Sequence, residues 1–160
     1  MADIDNTVAI REAVENFFIR DNVKHEPFDK RNVASAIYSV DAKFKHATIF
    51  FHAYKDKLVL HFLIPLNADE SERSNVAEFI LRANYGLKVG GFDFDFDDGE
   101  ISYRVSIYCG NDEFNPPTYE QINFAVLIGL MMIEKYGDAL IKVMFGLIEP
   151  SDAIVSVEGD

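Results

Sequence analysis

From Thr118 to about Phe145 the chain reads TYEQINFAVLIGLMMIEKYGDALIKVMF, a helix whose first three turns are apolar on every side. Thr118 and Gln121 have the spacing of a capping box: the hydroxyl takes the Gln121 amide proton and the glutamine side chain takes the Thr118 N–H. On a helical projection Ile122, Ala125, Val126, Gly129, Ile133, Tyr136 and Leu140 share one face, suited to packing on a sheet. Phe124, Leu127, Ile128 and Met131 lie on the opposite side, which turns charged further on with Glu134, Lys135, Asp138 and Lys142. Such a helix must be covered twice. A sheet is expected on one side. On the other, two readings stand: another helix of the same chain, or a subunit or client that meets Phe124, Leu127, Ile128 and Met131. Left open, that side forms an apolar patch of a few hundred Å², a size that marks a partner surface. An interruption near Gly137 is the one break the helix invites.

The sheet comes from upstream. NVASAIYSVDAKF, HATIFFHAY and KLVLHFLIP are rich in β-branched and aromatic residues, and the last two are joined by a short YKDKL turn, so three meandering strands are expected. In the third, Leu58, Leu60, Phe62 and Ile64 alternate with Val59, His61 and Leu63, which predicts a sheet covered on both faces. Ile10, Ala13, Val14 and Phe17 recur at helical spacing and place a first helix over about 6–22. Val76, Phe79, Ile80 and Ala83 place a second over about 71–85, with Gly86 as its stop. FDFDFDDGEISYRVSIYC then gives two more strands joined at Asp98-Gly99, a strong hairpin signal. The order is α-β-β-β-α-β-β-α: an α+β domain in which a bent antiparallel sheet packs on helices. One domain is expected over 1–160, with its core at about 6–146 and a tail, 147–160, that is loose or adds an edge strand.

The 160 residues are 49% hydrophobic, enough for a core without metals or disulfides. A formal charge of −12 opposes a phosphate backbone or an anionic membrane, so neither nucleic acid nor membrane is expected as a partner. The single cysteine, Cys109, cannot form an internal disulfide and alternates in phase with Val105 and Ile107, as a small buried hydrophobe would. The N-terminus lacks the basic start and apolar run of a secretory signal, and FAVLIGLMMI is too short to span a bilayer. A cytoplasmic location is the expectation.

The acidic hairpin invites a functional reading and then withdraws it. A two-residue Asp98-Gly99 turn sets Asp97 against Glu100, Phe96 against Ile101, Asp95 against Ser102, Phe94 against Tyr103 and Asp93 against Arg104. Phe92, Phe94 and Phe96 then point to the core, and Asp93, Asp95 and Asp97 to solvent. Carboxylates about 7 Å apart along a strand cannot converge on a calcium ion that needs oxygens at about 2.3–2.6 Å. The DxDxDG loop also fails, with Asp98 at the sixth place and Arg104 at the twelfth. A solvated strand face raises no carboxyl pKa for acid–base work. What is left is a weak cross-strand pair between Asp93 and Arg104.

Histidine is a better candidate. With Asp56 and Lys57 at the turn, His52 lies opposite His61, close enough to share a metal or a small ligand; a three-residue loop would instead set His61 opposite Phe51. Zinc would need a third or fourth ligand that no motif supplies. The chain has no GxSxG, no GK[ST] phosphate loop and no HExxH, and Gly90-Gly91 reads as a loop or bulge. No catalytic residue and no cofactor is assigned, and an enzyme is not expected.

The segment NVAEFILRANYGLKVGGFDFDFDDGEISYRVSIYCGN, followed by the helix beginning TYEQINFAVLIGL, resembles the bacterial YbjN family. The likeness rests on Asn84 near a helix end, a glycine-spaced turn into a strand, the acidic glycine hairpin, Tyr103 and Arg104 in the next strand, and Pro65 closing the third. It implies the fold of type III secretion chaperones, commonly homodimers that bind extended protein segments, and brings no catalytic residues. The expectation is a non-enzymatic, chaperone-like or regulatory protein-binding module that works as a homodimer or on a protein or peptide client. The alternative is a small-molecule or metal-binding domain using the sheet around His52 and His61.

Overall fold

The computed structural model describes residues 4–159. Helix α1 (Thr7–Arg20) leads into strands β1 (Val33–Ser39), β2 (His46–Ala53) and β3 (Lys57–Leu63). A 3-10 turn at Glu70–Glu72 enters α2 (Arg73–Asn84), and strands β4 (Gly91–Phe94) and β5 (Ile101–Tyr108) follow. Helices α3 (Tyr119–Met144) and α4 (Pro150–Glu158) complete the chain. The strands form one antiparallel sheet in the order β1-β2-β3-β5-β4, so the architecture is α+β as the periodicities predict.

All four helices lie to one side of that sheet. Its inner face carries Ala34 and Ala36, Ile49 and Phe51, Leu58, Leu60 and Phe62, and Ile101, Tyr103 and Val105, all buried. Phe18 of α1 meets Phe51 edge-on at 5.0 Å, and Phe79 of α2 meets Tyr136 of α3 at 6.3 Å. The face of α3 expected on the sheet is there: Ile122, Ala125, Val126, Gly129, Ile133, Tyr136 and Leu140 are all buried. Gly129 sets the approach. A Cβ at that position would lie 2.2 Å from Phe62 Cζ, so a residue without a side chain lets the helix axis come down onto β3. The helix also runs unbroken past Gly137, because Phe44 and Ala42 fill the space beside that glycine from the β1–β2 connection.

The second face of the sheet departs from expectation, for no helix among the described residues covers it. Val59 is buried, but His61 and Leu63 are only half-buried and Ile37 of β1 is 71% exposed. Apolar residues on both faces of β3 therefore reflect a floor shared with Phe50 and Val33, not a second helical layer.

Both hairpin registers also differ, each by two residues, which preserves the face of every side chain while moving its partner. In the β4–β5 hairpin Phe92 pairs with Tyr103, Asp93 with Ser102 and Phe94 with Ile101. The turn widens to span Asp95–Glu100, with the Gly99 N–H donating to the Asp95 carbonyl at 2.8 Å and Gly99 at φ +79°. The reason is tertiary. Arg73 donates to the carbonyls of Phe96 and Asp97, and the Ala68 N–H donates to the Gly99 carbonyl at 2.9 Å, so the loop is shaped by the segment before α2. Phe96 is accordingly 57% exposed and not in the core, while Phe92 is buried and Phe94 half-buried. Asp93 and Arg104 do form an ion pair at 3.0 Å, on the diagonal and not face to face.

Residues 147–159, the described part of the expected tail 147–160, are neither a loose tail nor an edge strand. Over Pro150–Glu158 they form α4, which packs on α2 and α3 with Ala153 fully buried. Pro150 at the first helical position, Asp152 in the first turn, and Ala153, Ile154 and Val157 at helical spacing are the signals that mark it. The Tyr136 hydroxyl of α3 donates to the Glu158 carboxylate and ties the two helices at their far end.

Candidate protein-contact site

The apolar side of α3 is positioned from both ends and from behind. At its start the capping box forms as written: the Gln121 N–H donates to Thr118 Oγ1 at 3.1 Å, and the Thr118 N–H donates to Gln121 Oε1 at 2.9 Å. Tyr119 then pins the first turn to the end of α1. Its hydroxyl donates to Asp21 at 2.9 Å and its ring lies 3.6 Å from the Arg20 guanidinium carbon. Further along, Glu134 accepts from the Asp41 N–H at 3.0 Å and Asp138 accepts from the Lys43 N–H at 2.8 Å, so the β1–β2 connection braces the second half. With Gly129 seated on Phe62 behind, the helix has little freedom to rotate about its axis.

What faces away from the sheet is the predicted stripe. Phe124 is 54% exposed, Leu127 50% and Met131 56%, with Ile128 half-buried at the stripe's edge. Neither α1 nor α2 covers these side chains. The intramolecular alternative therefore fails for three of the four, and a contiguous apolar ridge stands in water on a chain whose formal charge is −12.

A second candidate lies on the open face of the sheet. A depression of about 400 Å³ is lined by Arg31, Val33, Phe50, His52, His61, Leu63, Glu100 and Ser102. The turn before it closes at Lys55-Asp56, not Asp56-Lys57, because the Lys55 carbonyl accepts from Asn6 and the Asp56 carbonyl from Cys109. His61 therefore pairs with Phe50 and His52 with Val59, which leaves the two imidazoles diagonal neighbours on one face rather than directly opposed. Burial lowers the pKa of both, partly offset at His52 by Asp29 and at His61 by Asp93. His52 also stacks on Tyr54 at 3.9 Å. Among the described residues no group of three or more His, Cys, Asp or Glu side chains is placed to hold a metal ion. Two imidazoles beside an apolar floor leave a metal ion short of the third and fourth protein ligands that a zinc site takes.

Other features of the sequence have structural roles. Cys109 is buried and its thiol pKa is raised by burial. Asn84 has a role that spacing alone did not announce. Its Nδ2 donates to the Phe92 carbonyl at 2.9 Å and its Oδ1 accepts from the Phe92 N–H at 2.8 Å, so one amide satisfies both backbone groups on the outer edge of β4. No helix among the described residues is long and apolar enough to cross a membrane.

The comparisons with known proteins agree with this architecture. The model of the YbjN family, described as "Putative bacterial sensory transduction regulator", matches residues 11–142. Among solved structures, the crystal structure of YbjN from E. coli, "a putative transcription regulator", aligns with a TM-score of 0.54 at 11% identity, covering 78% of this chain and 85% of that one. At that identity the likeness speaks for the fold alone. No curated protein matches the chain.

Proposed function

This chain belongs to the YbjN family, and from that premise we propose that it is a non-enzymatic regulatory module that acts through protein contacts made by the exposed side of α3. The observation that carries the proposal is the ridge of Phe124, Leu127 and Met131, with Ile128 half-buried at its edge, held outward by a rigidly seated helix and left exposed by the described residues. Exposing such a ridge costs solubility, and an interface is what offsets that cost. In this account the module works as a homodimer or takes up an extended protein segment in a chaperone-like manner, within a bacterial cytoplasm. Size-exclusion chromatography with light scattering, on the wild type and on Met131→Asp, tests it. A species larger than a monomer that Met131→Asp dissociates is the expected result; a clean monomer that the substitution leaves unaltered would remove the homodimer, and one that also binds no extended apolar peptide would sink the proposal.

The depression holding His52 and His61 supports a second reading, a site for a small ligand on the open sheet face. Imidazole resonances of His52 and His61 that move together on addition of a candidate ligand would favour it. Zinc that neither raises the melting temperature nor shifts those resonances removes its metal-binding form.

A further inference from the structure

The ridge on α3 has a symmetry that names its occupant. At about 100° per residue, Glu120, Phe124, Leu127, Ile128, Met131 and Lys135 all fall within about 50° of one line along the helix, so the apolar ridge has a carboxylate at one end and an ammonium at the other. Both end residues are exposed, and neither makes an ion pair among the described residues. Lys135 only passes over the Tyr136 ring at 5.3 Å. From Ile122 to Ile133 the helix carries no charge at all.

A two-fold axis placed between Leu127 and Ile128 maps this pattern onto itself with opposite signs. In an antiparallel pair of α3 helices Leu127 meets the second copy's Ile128, Phe124 meets its Met131, and Glu120 meets its Lys135. Every contact occurs twice, as an isologous interface requires. The Phe124 and Met131 contact brings a thioether to an aromatic ring, a favourable pairing. A parallel pair does the reverse: it sets Glu120 against Glu120 and Lys135 against Lys135. Like charges and aligned helix dipoles both oppose that arrangement.

Resting on the reading of this ridge as a protein-contact surface, we infer that its partner is a second copy of this chain, packed antiparallel through α3 with Glu120–Lys135 ion pairs closing both ends. The apolar area on offer is on the order of 300–400 Å² per copy, below the roughly 800 Å² per partner of a standard stable complex. The dimer is therefore concentration-dependent and not obligate. The β1–β2 connection is hydrogen-bonded to Glu134 and Asp138, beside and beyond Lys135 on the same side of α3, so the paired segment ends at Lys135.

The test is a charge-reversal cycle read by sedimentation equilibrium at low salt, with circular dichroism to show that each variant keeps the fold. Glu120→Lys and Lys135→Glu each replace two attractions with two repulsions and weaken the dimer by roughly fivefold or more. The double variant restores the wild-type constant. A cysteine at Leu127, close to the axis, gives an oxidative cross-link, while one at Glu120 does not. If the wild type dimerises and Met131→Asp breaks it, but both charge reversals leave the constant unchanged, the antiparallel register is overturned and the ridge stands as a contact surface. If the wild type is monomeric at every concentration, the second copy is overturned as the occupant.

Discussion

Asn84 closes the outer edge of β4 with a single side-chain amide, accepting from the Phe92 N–H and donating to its carbonyl. Phe92 is 4% exposed, so its backbone groups have no ready access to water as a substitute. Asn84→Ala is expected to lower unfolding free energy by about 1–3 kcal/mol, the cost of leaving a buried donor and acceptor unpaired, as read from urea denaturation. Asn84→Asp retains an acceptor but sets a negative oxygen against the carbonyl, and should be no better than alanine. A second residue-scale prediction concerns His52 and His61. Burial holds both below the ordinary imidazole value of 6.5, so the unfolded chain takes up protons first as pH falls. Their contribution is fully present above 6.5 and is lost as pH falls through the lowered folded values. Asp29 acts in a separate, lower window. Backbone N–H groups of Val33 and Arg31 hold its pKa below 3.8, and its contribution persists above 3.8 until pH falls through that lowered value. Chemical denaturation across the range just below pH 6.5 should show a decline that the double variant His52→Gln, His61→Gln flattens.

Among the elements, α4 makes the most specific claim. Ala153 sits fully buried where α4 meets α2 and α3, and Tyr136 binds Glu158 across the same contact, where burial and that carboxylate raise the Tyr136 pKa. Ala153→Asp would bury an unpaired charge and is expected to cost more than about 2 kcal/mol, with α4 released to proteolysis near Gly146. Unchanged stability and protease resistance would show that α4 is not a packed element. The helix was open to reading from Pro150, Asp152 and the spacing of Ala153, Ile154 and Val157, but a polar tail with a β-branched run also fits a strand. Strands and helices elsewhere were legible because apolar periodicity depends only on which face is buried. Hairpin registers were not, because turn placement is decided by distant partners: Arg73 for Asp95–Glu100, and Asn6 with Cys109 for Lys55-Asp56. A shift of two residues keeps every face correct, which is why the core assignment held for Phe92 while the facing pairs did not. Phe96 failed as a core residue because it lies in the widened turn, where alternation stops.

On the scale of the whole molecule, one face of the sheet is closed by α1, α2 and α3 with α4 packed on the last two, the other stays open, and the outermost surface of α3 carries an apolar ridge that no described residue covers. The ridge was legible from sequence alone as a helix apolar on every side; its exposure was not, because that depends on where α1 and α2 settle. That arrangement leaves two surfaces free for binding, the open sheet face around His52 and His61 and the ridge on α3. The action proposed for this chain rests on what covers α3. The most direct measurement is therefore the rate of Met131 oxidation, followed by mass spectrometry as protein concentration is raised, with Met144 as an internal reference. Met144 is 5% exposed and should stay protected throughout, whereas Met131 at 56% exposure should oxidise quickly in dilute protein and become protected as copies associate. A Met131 rate that is the same at every concentration would contradict the account.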